Sequence, residues 1–454
     1  MGAERPAGDA AGRPGSDVPA GREIGGGVTS PGSDGETALL GAGAKPVTLT
    51  PAASRPLARA LVAAVGSRVL IFAVAFLAAA VIGIGGLPVG WRFPLRAEVF
   101  SGWLGSLFNP WAHWDGVWYI KIATSGYADG DGSTAFFPLF PMLLRYLGVV
   151  LDGNLLISGI VISLLCYAGS VWLLWRLVKL DFDESVASRA VIYLAVGPLS
   201  FFLQAVYTES LFLLLTLACF VFAREGRWRL AGVMGLLATL TRSTGVLLLV
   251  PMAYYYYDRR GWKLRKTDSH VANLLMVVEG LLVWMTYLAL AFGKPLAFST
   301  AQSQWERNLG APNYTVTKAI AATVWGLRKV ISAEYYRWLW EAPRPGSEYS
   351  NLATNVLNLA FLVAAALLLW YGARRLPPAY SWYALAALAY PLFFPSKYVP
   401  LMSYPRFTLT VFPLYVALAL YTRDRPRAHK VVVALGLVAL VILTGKFAIF
   451  SWVA

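Results

Sequence analysis

The chain has 454 residues, 57% of them hydrophobic and only 14% charged, with a mean hydropathy of +0.57. A soluble globular domain carries roughly 25% charged residues, so this composition excludes a water-soluble enzyme and demands a protein that crosses a bilayer many times. The formal net charge of +15 does not signal nucleic acid, because the basic residues cluster in short loops between apolar runs, as membrane topology and anionic lipid headgroups require.

Residues 1–54 are rich in Gly, Ala, Pro and Ser with scattered charge and no apolar period. Such a segment buries too little surface to offset its ordering entropy, and it lacks the short apolar core of a cleaved signal peptide. It is expected to be a disordered cytoplasmic tail, with residues 55–454 forming the transmembrane domain. Removal of residues 1–50 should leave insertion and function intact, and lost function in a normally inserted chain would refute that expectation.

Apolar runs, several of which approach or exceed the ~20 residues needed to span as helix, follow at about 60–87, 154–177, 188–204, 209–223, 230–241, 244–257, 271–292, 349–371, 379–395, 405–421 and 431–452. Threaded with alternating direction, they place Arg176, Lys179, Arg224, Arg227, Arg374, Arg423 and the stretch DRRGWKLRK on one side. Basic short loops mark that side as cytoplasmic. The expectation is an all-α polytopic membrane protein with about eleven spans. Two long extracytoplasmic loops, about 88–153 and 293–348, and the YTES, TRST and SKYVPLMSYPRF turns then share the opposite face. Cys166 and Cys219 both lie in apolar segments, which argues against a structural disulfide or a zinc site.

The first long loop holds WAHWDGVWYIKIATSGY, residues 111–127. At helical spacing Trp111, Trp114, Trp118 and Ile122 form one stripe suited to the headgroup level. In the following AFFPLFPMLLRYLGVV, Pro138 and Pro141 start or break helix rather than continue it. The loop is therefore expected to carry two amphipathic helices along the membrane surface. Asp115 has two compatible readings. Asp caps helix N-termini by accepting hydrogen bonds from exposed amides, and a desolvated carboxylate accepts a proton from a substrate hydroxyl.

Other polar residues point to the same face. Glu209, with Tyr207, Thr208 and Ser210, opens a span, and Arg406 stands at the mouth of another. Arg242 interrupts an apolar stretch, where a charge costs about 2.5–3.5 kcal/mol and calls for an anionic partner or a wet cavity. Each charge alone reads as a snorkelling interfacial residue, but two arginines and two carboxylates on one face read as a site. Glu279, inside a span, is expected to have a packed or partnered structural role. Lys121, Arg145 and Lys397 are expected to anchor at the interface.

Aromatic faces stack on sugar rings, arginine pairs with phosphate, and a carboxylate activates an acceptor hydroxyl. These are the parts needed to move a sugar from a lipid-linked sugar phosphate, with Asp115 as base and the leaving phosphate stabilised by Arg242 or Arg406. His113 would orient Asp115 or touch the donor phosphate, while Trp114, Trp118, Tyr119, Tyr207 and Glu209 would complete the substrate-binding set. No metal cluster is expected, although Asp115 and Glu209 offer a divalent cation two hard oxygens. A lipid or sugar transporter or flippase is the alternative. It would also place charges in spans, but the chain lacks the internal repeat that marks many transporters. A lipid-linked polymer ligase shares the same site logic.

The motifs HWDGVWYIKIATSGY, AFFPLFPMLLR, YTESLFLLLTL, TRSTGVLLLVP and YPRFTLTVFP resemble, in order, those of PIG-V-type mannosyltransferases. In eukaryotes this family adds the second mannose of the glycosylphosphatidylinositol anchor. The resemblance spans roughly residues 60–422 and implies a GT-C architecture with the catalytic carboxylate, here Asp115, in the first luminal or extracellular loop. It also implies a polyprenyl- or dolichyl-phosphate-mannose donor and a glycolipid or cell-envelope acceptor. The Gly/Ala/Arg-rich composition hints at a high-GC bacterial genome, hence the plasma membrane. A eukaryotic member would occupy the endoplasmic reticulum.

Overall fold

The computed structural model describes residues 54–83, 99–330, 348–397 and 399–453. The expectations for the tail, for the end of the first apolar run at 84–87, and for the parts of the two long loops at 88–98 and 331–347, lie outside the described residues. Regular structure among them is helical throughout, apart from one isolated bridge between Arg307 and Ser396.

Each of the eleven apolar runs contains helix. Among the described residues, five helices are long and apolar enough to cross a membrane: Arg55–Val81, Leu155–Lys179, Ser269–Phe292, Ala353–Gly372 and Pro426–Ala448. The other runs give shorter or interrupted helices, for instance Glu184–Val196, Trp228–Thr241 and Leu249–Asp258. Proline accounts for much of this. Pro378, Pro405 and Pro413 each stand in the first turn of a new helix, where a missing amide proton is tolerated, so the run from 404 to 422 divides into Tyr404–Leu409 and Pro413–Thr422.

The helix Glu209–Glu225 is apolar on all sides and nearly all of it is buried, as such a sequence requires. It packs against Leu155–Lys179 on one side and Trp228–Thr241 on another. Trp228–Thr241 in turn meets the helix Ala272–Phe292 at very close range. A Cβ on Gly280 would lie 2.6 Å from the Leu236 carbonyl oxygen, so only glycine permits this approach. The helix Ser54–Val81 carries a buried arginine, Arg68. Its guanidinium donates to the Ser200 carbonyl at 2.8 Å and the Ala195 carbonyl at 3.3 Å, and lies 4.2 Å from the Tyr167 ring centroid.

The first long loop departs from expectation in an instructive way. Its helices are Gly102–Phe108, Asp115–Ser125 and Leu139–Val150. Pro138 caps the last, which exposes Met142, Tyr146, Val149 and Val150 while burying Phe140 and Leu144; this piece has the exposed apolar face of an amphipathic helix. The proposed headgroup stripe, however, does not form. Trp111 lies in a 3-10 turn before the helix and is wholly buried, and Trp118 and Ile122 are each only 4% exposed. Trp114 takes φ 55°, a conformation costly for a bulky residue. These aromatics fill the interior because the outer loops fold back over them.

Two further expectations change. Lys121 binds Asp131 at 2.7 Å within its own loop, so it is an internal tie rather than a free anchor. Glu279 is exposed, with no hydrogen-bond or ion-pair partner among the described residues.

Candidate active site

The backbone at 113–115 sorts three consecutive side chains into different places. With Trp114 at positive φ the chain reverses, closed by the Gly116 amide donating to the His113 carbonyl at 3.1 Å. His113 turns inward to the C-terminal segment. It is fully buried, its Nδ1 lies 3.0 Å from the Phe447 carbonyl oxygen, and its ring contacts Phe447 and Phe450. Trp114 stacks on Phe450 at 4.4 Å. Asp115 turns the other way, onto a cavity of about 180 Å³.

Asp115 does not cap its helix. It is the first helical residue, Trp114 holds the cap position, and no side-chain cap bond forms. Its carboxylate is engaged elsewhere: Oδ2 lies 2.7 Å from Arg406 Nη1. Arg406 Nε is in turn 3.1 Å from Glu209 Oε1, and the same oxygen accepts from Arg242 Nη1 at 2.7 Å. The four charges named from sequence thus form one chain, Asp115–Arg406–Glu209–Arg242. The apolar setting expected around Asp115 is replaced by an ion pair, with the carboxylate 19% exposed and Glu209 only 1%. Glu209 is fixed here because the buried helix Glu209–Glu225 starts at the site.

Asp115, Tyr119, Arg242 and Arg406 all line the cavity, while Glu209 ties the arginines from behind. Tyr119 Oη lies 3.4 Å from Thr208 Oγ1. Tyr207 is buried beneath Arg406, its ring centroid 5.4 Å from the guanidinium carbon, and its hydroxyl donates to the His113 carbonyl at 3.0 Å. His113, Trp114 and Trp118 stand off the cavity wall. Trp118 is one layer behind, stacked on Phe136 and edge-on to Trp305, which both line it. These three support the wall instead of presenting a face to a ligand.

Sequence reasoning passed over Arg307, on the second long loop. A single arginine in an exposed-looking loop has no periodicity or spacing to single it out. The loop folds over the site through Lys294–Asp129 at 2.6 Å, Gln304 Nε2 donating to the Gly130 carbonyl at 2.8 Å, and Thr134 Oγ1 donating to the Ala297 carbonyl at 3.3 Å. Arg307 then lines the cavity, with Nη2 donating to the Met402 carbonyl at 2.9 Å and no carboxylate partner among the described residues. Burial, and then repulsion from Arg406, hold its guanidinium below the usual arginine value, at about 10. It stays charged at neutral pH. Tyr390, Phe394, Phe407 and Trp452 complete an aromatic wall.

Three guanidinium groups against two carboxylates leave one positive charge here. The site therefore suits an anion carrying one negative charge and a ring that stacks on aromatic faces. It suits a metal ion poorly. Both carboxylates are bonded to arginines, and among the described residues no cluster of three or more His, Cys, Asp or Glu could hold one.

These features define an all-helical, multi-pass membrane protein with an arginine-rich, aromatic-walled cavity beneath its loops. Residues 92–298 match the family model described as Mannosyltransferase (PIG-V). GPI mannosyltransferase 2 of Drosophila melanogaster is 24% identical over 187 residues, covering 37% of this chain and 41% of that protein. GPI mannosyltransferase 2 of Schizosaccharomyces pombe is 27% identical over 146 residues, covering 31% of each. The chain thus matches less than half the length of either relative. Among solved structures, the oligosaccharyltransferase of Archaeoglobus fulgidus in the apo form is similar over 87% of this chain and 56% of that one, at 14% identity and a TM-score of 0.40. AglB from the same organism, in complex with an inhibitory peptide and a dolichol-phosphate, covers 87% and 55% at 16% identity and 0.39.

Proposed function

We propose that the chain is a membrane mannosyltransferase of GT-C type that takes mannose from a polyprenyl- or dolichyl-phosphate-mannose donor. It passes the sugar, with inversion, to a hydroxyl of a lipid-linked or envelope acceptor on the extracytoplasmic face. The observation that carries this reading is a carboxylate and an uncompensated arginine facing one aromatic cavity, Asp115 and Arg307. The family match supports the sugar, and the apolar surface of Leu139–Val150 gives a lipid carrier a place to lie.

In this mechanism the acceptor oxygen attacks the anomeric carbon while Asp115 takes its proton. Oδ2 is held by Arg406, so Oδ1 is the oxygen for that task. The bond between the anomeric carbon and the phosphate oxygen breaks, and the carrier phosphate gains a second negative charge. A fixed cation beside that growing charge lowers the barrier. Arg242 and Arg406 are committed to Glu209 and Asp115, which moves the phosphate contact to Arg307.

Arg307→Ala should raise the donor KM about 10- to 100-fold, the worth of one charge-assisted hydrogen bond, with Arg307→Lys intermediate. Titrating labelled polyprenyl-phosphate-mannose against a fixed acceptor measures it. A selective acceptor defect would assign Arg307 to the other substrate. Sidedness has its own test. Cys166 and Cys219 are buried, so Ser125→Cys, on the exposed end of Asp115–Ser125, should react with an impermeant maleimide in intact cells. Reaction only after permeabilisation would place the site in the cytoplasm.

A further inference from the structure

Two charges lie deep in the five long spans among the described residues, and the fold treats them in opposite ways. Arg68 is at the midpoint of Arg55–Val81 and turns inward, onto the carbonyl oxygens of Ser200 and Ala195 and the ring of Tyr167. Glu279 lies beside the midpoint of Ser269–Phe292, which falls between residues 280 and 281, and turns outward. The packed face of that helix is Val277, Gly280, Trp284 and Leu288. At 3.6 residues per turn, Glu279 projects from the opposite side.

A carboxylate facing hydrocarbon at mid-membrane is among the costliest placements for a side chain, and intramembrane charges otherwise face the bundle interior. Glu279 also sits on a line of exposed residues: Leu275, Leu282, Thr286 and Leu290. The spacings along it are four, three, four and four, the seam that one more helix fills. A second copy of this chain about a twofold axis would set Glu279 against itself, like charge on like.

We infer that this face docks a single transmembrane helix of another protein, which brings a lysine or arginine to Glu279. Charge complementarity selects that partner, because a basic side chain at mid-helix needs an acid as much as Glu279 needs a base. The docking face lies on the far side of Ala272–Phe292 from the helix Trp228–Thr241, so the inference is independent of the proposed chemistry.

The test places a photoreactive amino acid at Leu282 in the full chain, in its native membranes, with a control at the exposed Leu367 of another span. Position 282 should give an adduct with one second polypeptide, and peptide mapping should locate it to an apolar segment bearing Lys or Arg. Glu279→Leu should cut its yield at least tenfold and Glu279→Asp should preserve it. Glu279→Lys should regain it only when the partner's base is changed to Glu. Adducts with lipid alone, with a second copy, or with another segment of this chain would overturn the inference, as would a yield indifferent to Glu279. Melting of the purified chain is the second measurement. Glu279→Leu should melt at or above the parent, and a lower melting temperature would show that the carboxylate serves its own fold.

Discussion

Asp115→Asn should reduce mannose transfer by about two to four orders of magnitude, the usual contribution of a positioned general base, in a chain that still folds and inserts. Asparagine has nearly the volume of aspartate and can still accept a hydrogen bond from Arg406, so the wall of the cavity stays in place. It cannot take the acceptor proton. The loss should therefore fall on kcat with little change in donor KM, because the proposed phosphate contact is Arg307 and not residue 115. Initial rates in membranes, with labelled polyprenyl-phosphate-mannose at saturation, give the answer. Unchanged turnover in the Asn variant would remove Asp115 from the mechanism. Substrate crossing the bilayer with its glycosyl bond intact would make the protein a transporter.

The second large effect is on the fold itself. Glu209 is 1% exposed and neutralises two arginines, Arg242 at 2.7 Å and Arg406 at 3.1 Å, which are themselves only 13% and 11% exposed. Removing one partner of a buried ion pair leaves the other charge uncompensated and costs about 3–5 kcal/mol. Glu209→Ala should accordingly lower the melting temperature of the detergent-solubilised protein and reduce its yield. The combination Glu209→Gln with Arg242→Met removes the pair together and should be markedly less destabilised than the sum of its single changes. Glu209→Ala melting with the parent would mean that water or an anion already screens these arginines.

The charge chain at the site was partly visible beforehand. Arg242 and Glu209 stand out in apolar runs because a charge there is expensive and has to be compensated. Their shared oxygen contact was not visible, since the two residues come from separate helices that only packing brings together. His113 was drawn toward the chemistry by its nearness to Asp115 in sequence, but the backbone reversal at Trp114 sends the two side chains apart. The tryptophan stripe failed for a related reason. The stripe requires helical spacing across 111–122, whereas the helix begins at Asp115. Glu279 reads from sequence as packed or partnered, but it is exposed and among the described residues has no partner.

Composition and apolar run length by themselves determined that this is an all-α, multi-pass membrane protein, because a bilayer core accepts only helices or closed barrels, and the runs are of helical length. Which face each aromatic serves, which arginine each acid neutralises, and which arginine is left over were decided by tertiary structure alone. Those outcomes depend on distances between segments hundreds of residues apart, such as Asp115 and Arg406 at 2.7 Å, and Arg307 is left over because its loop closes over a cavity whose other charges are already matched.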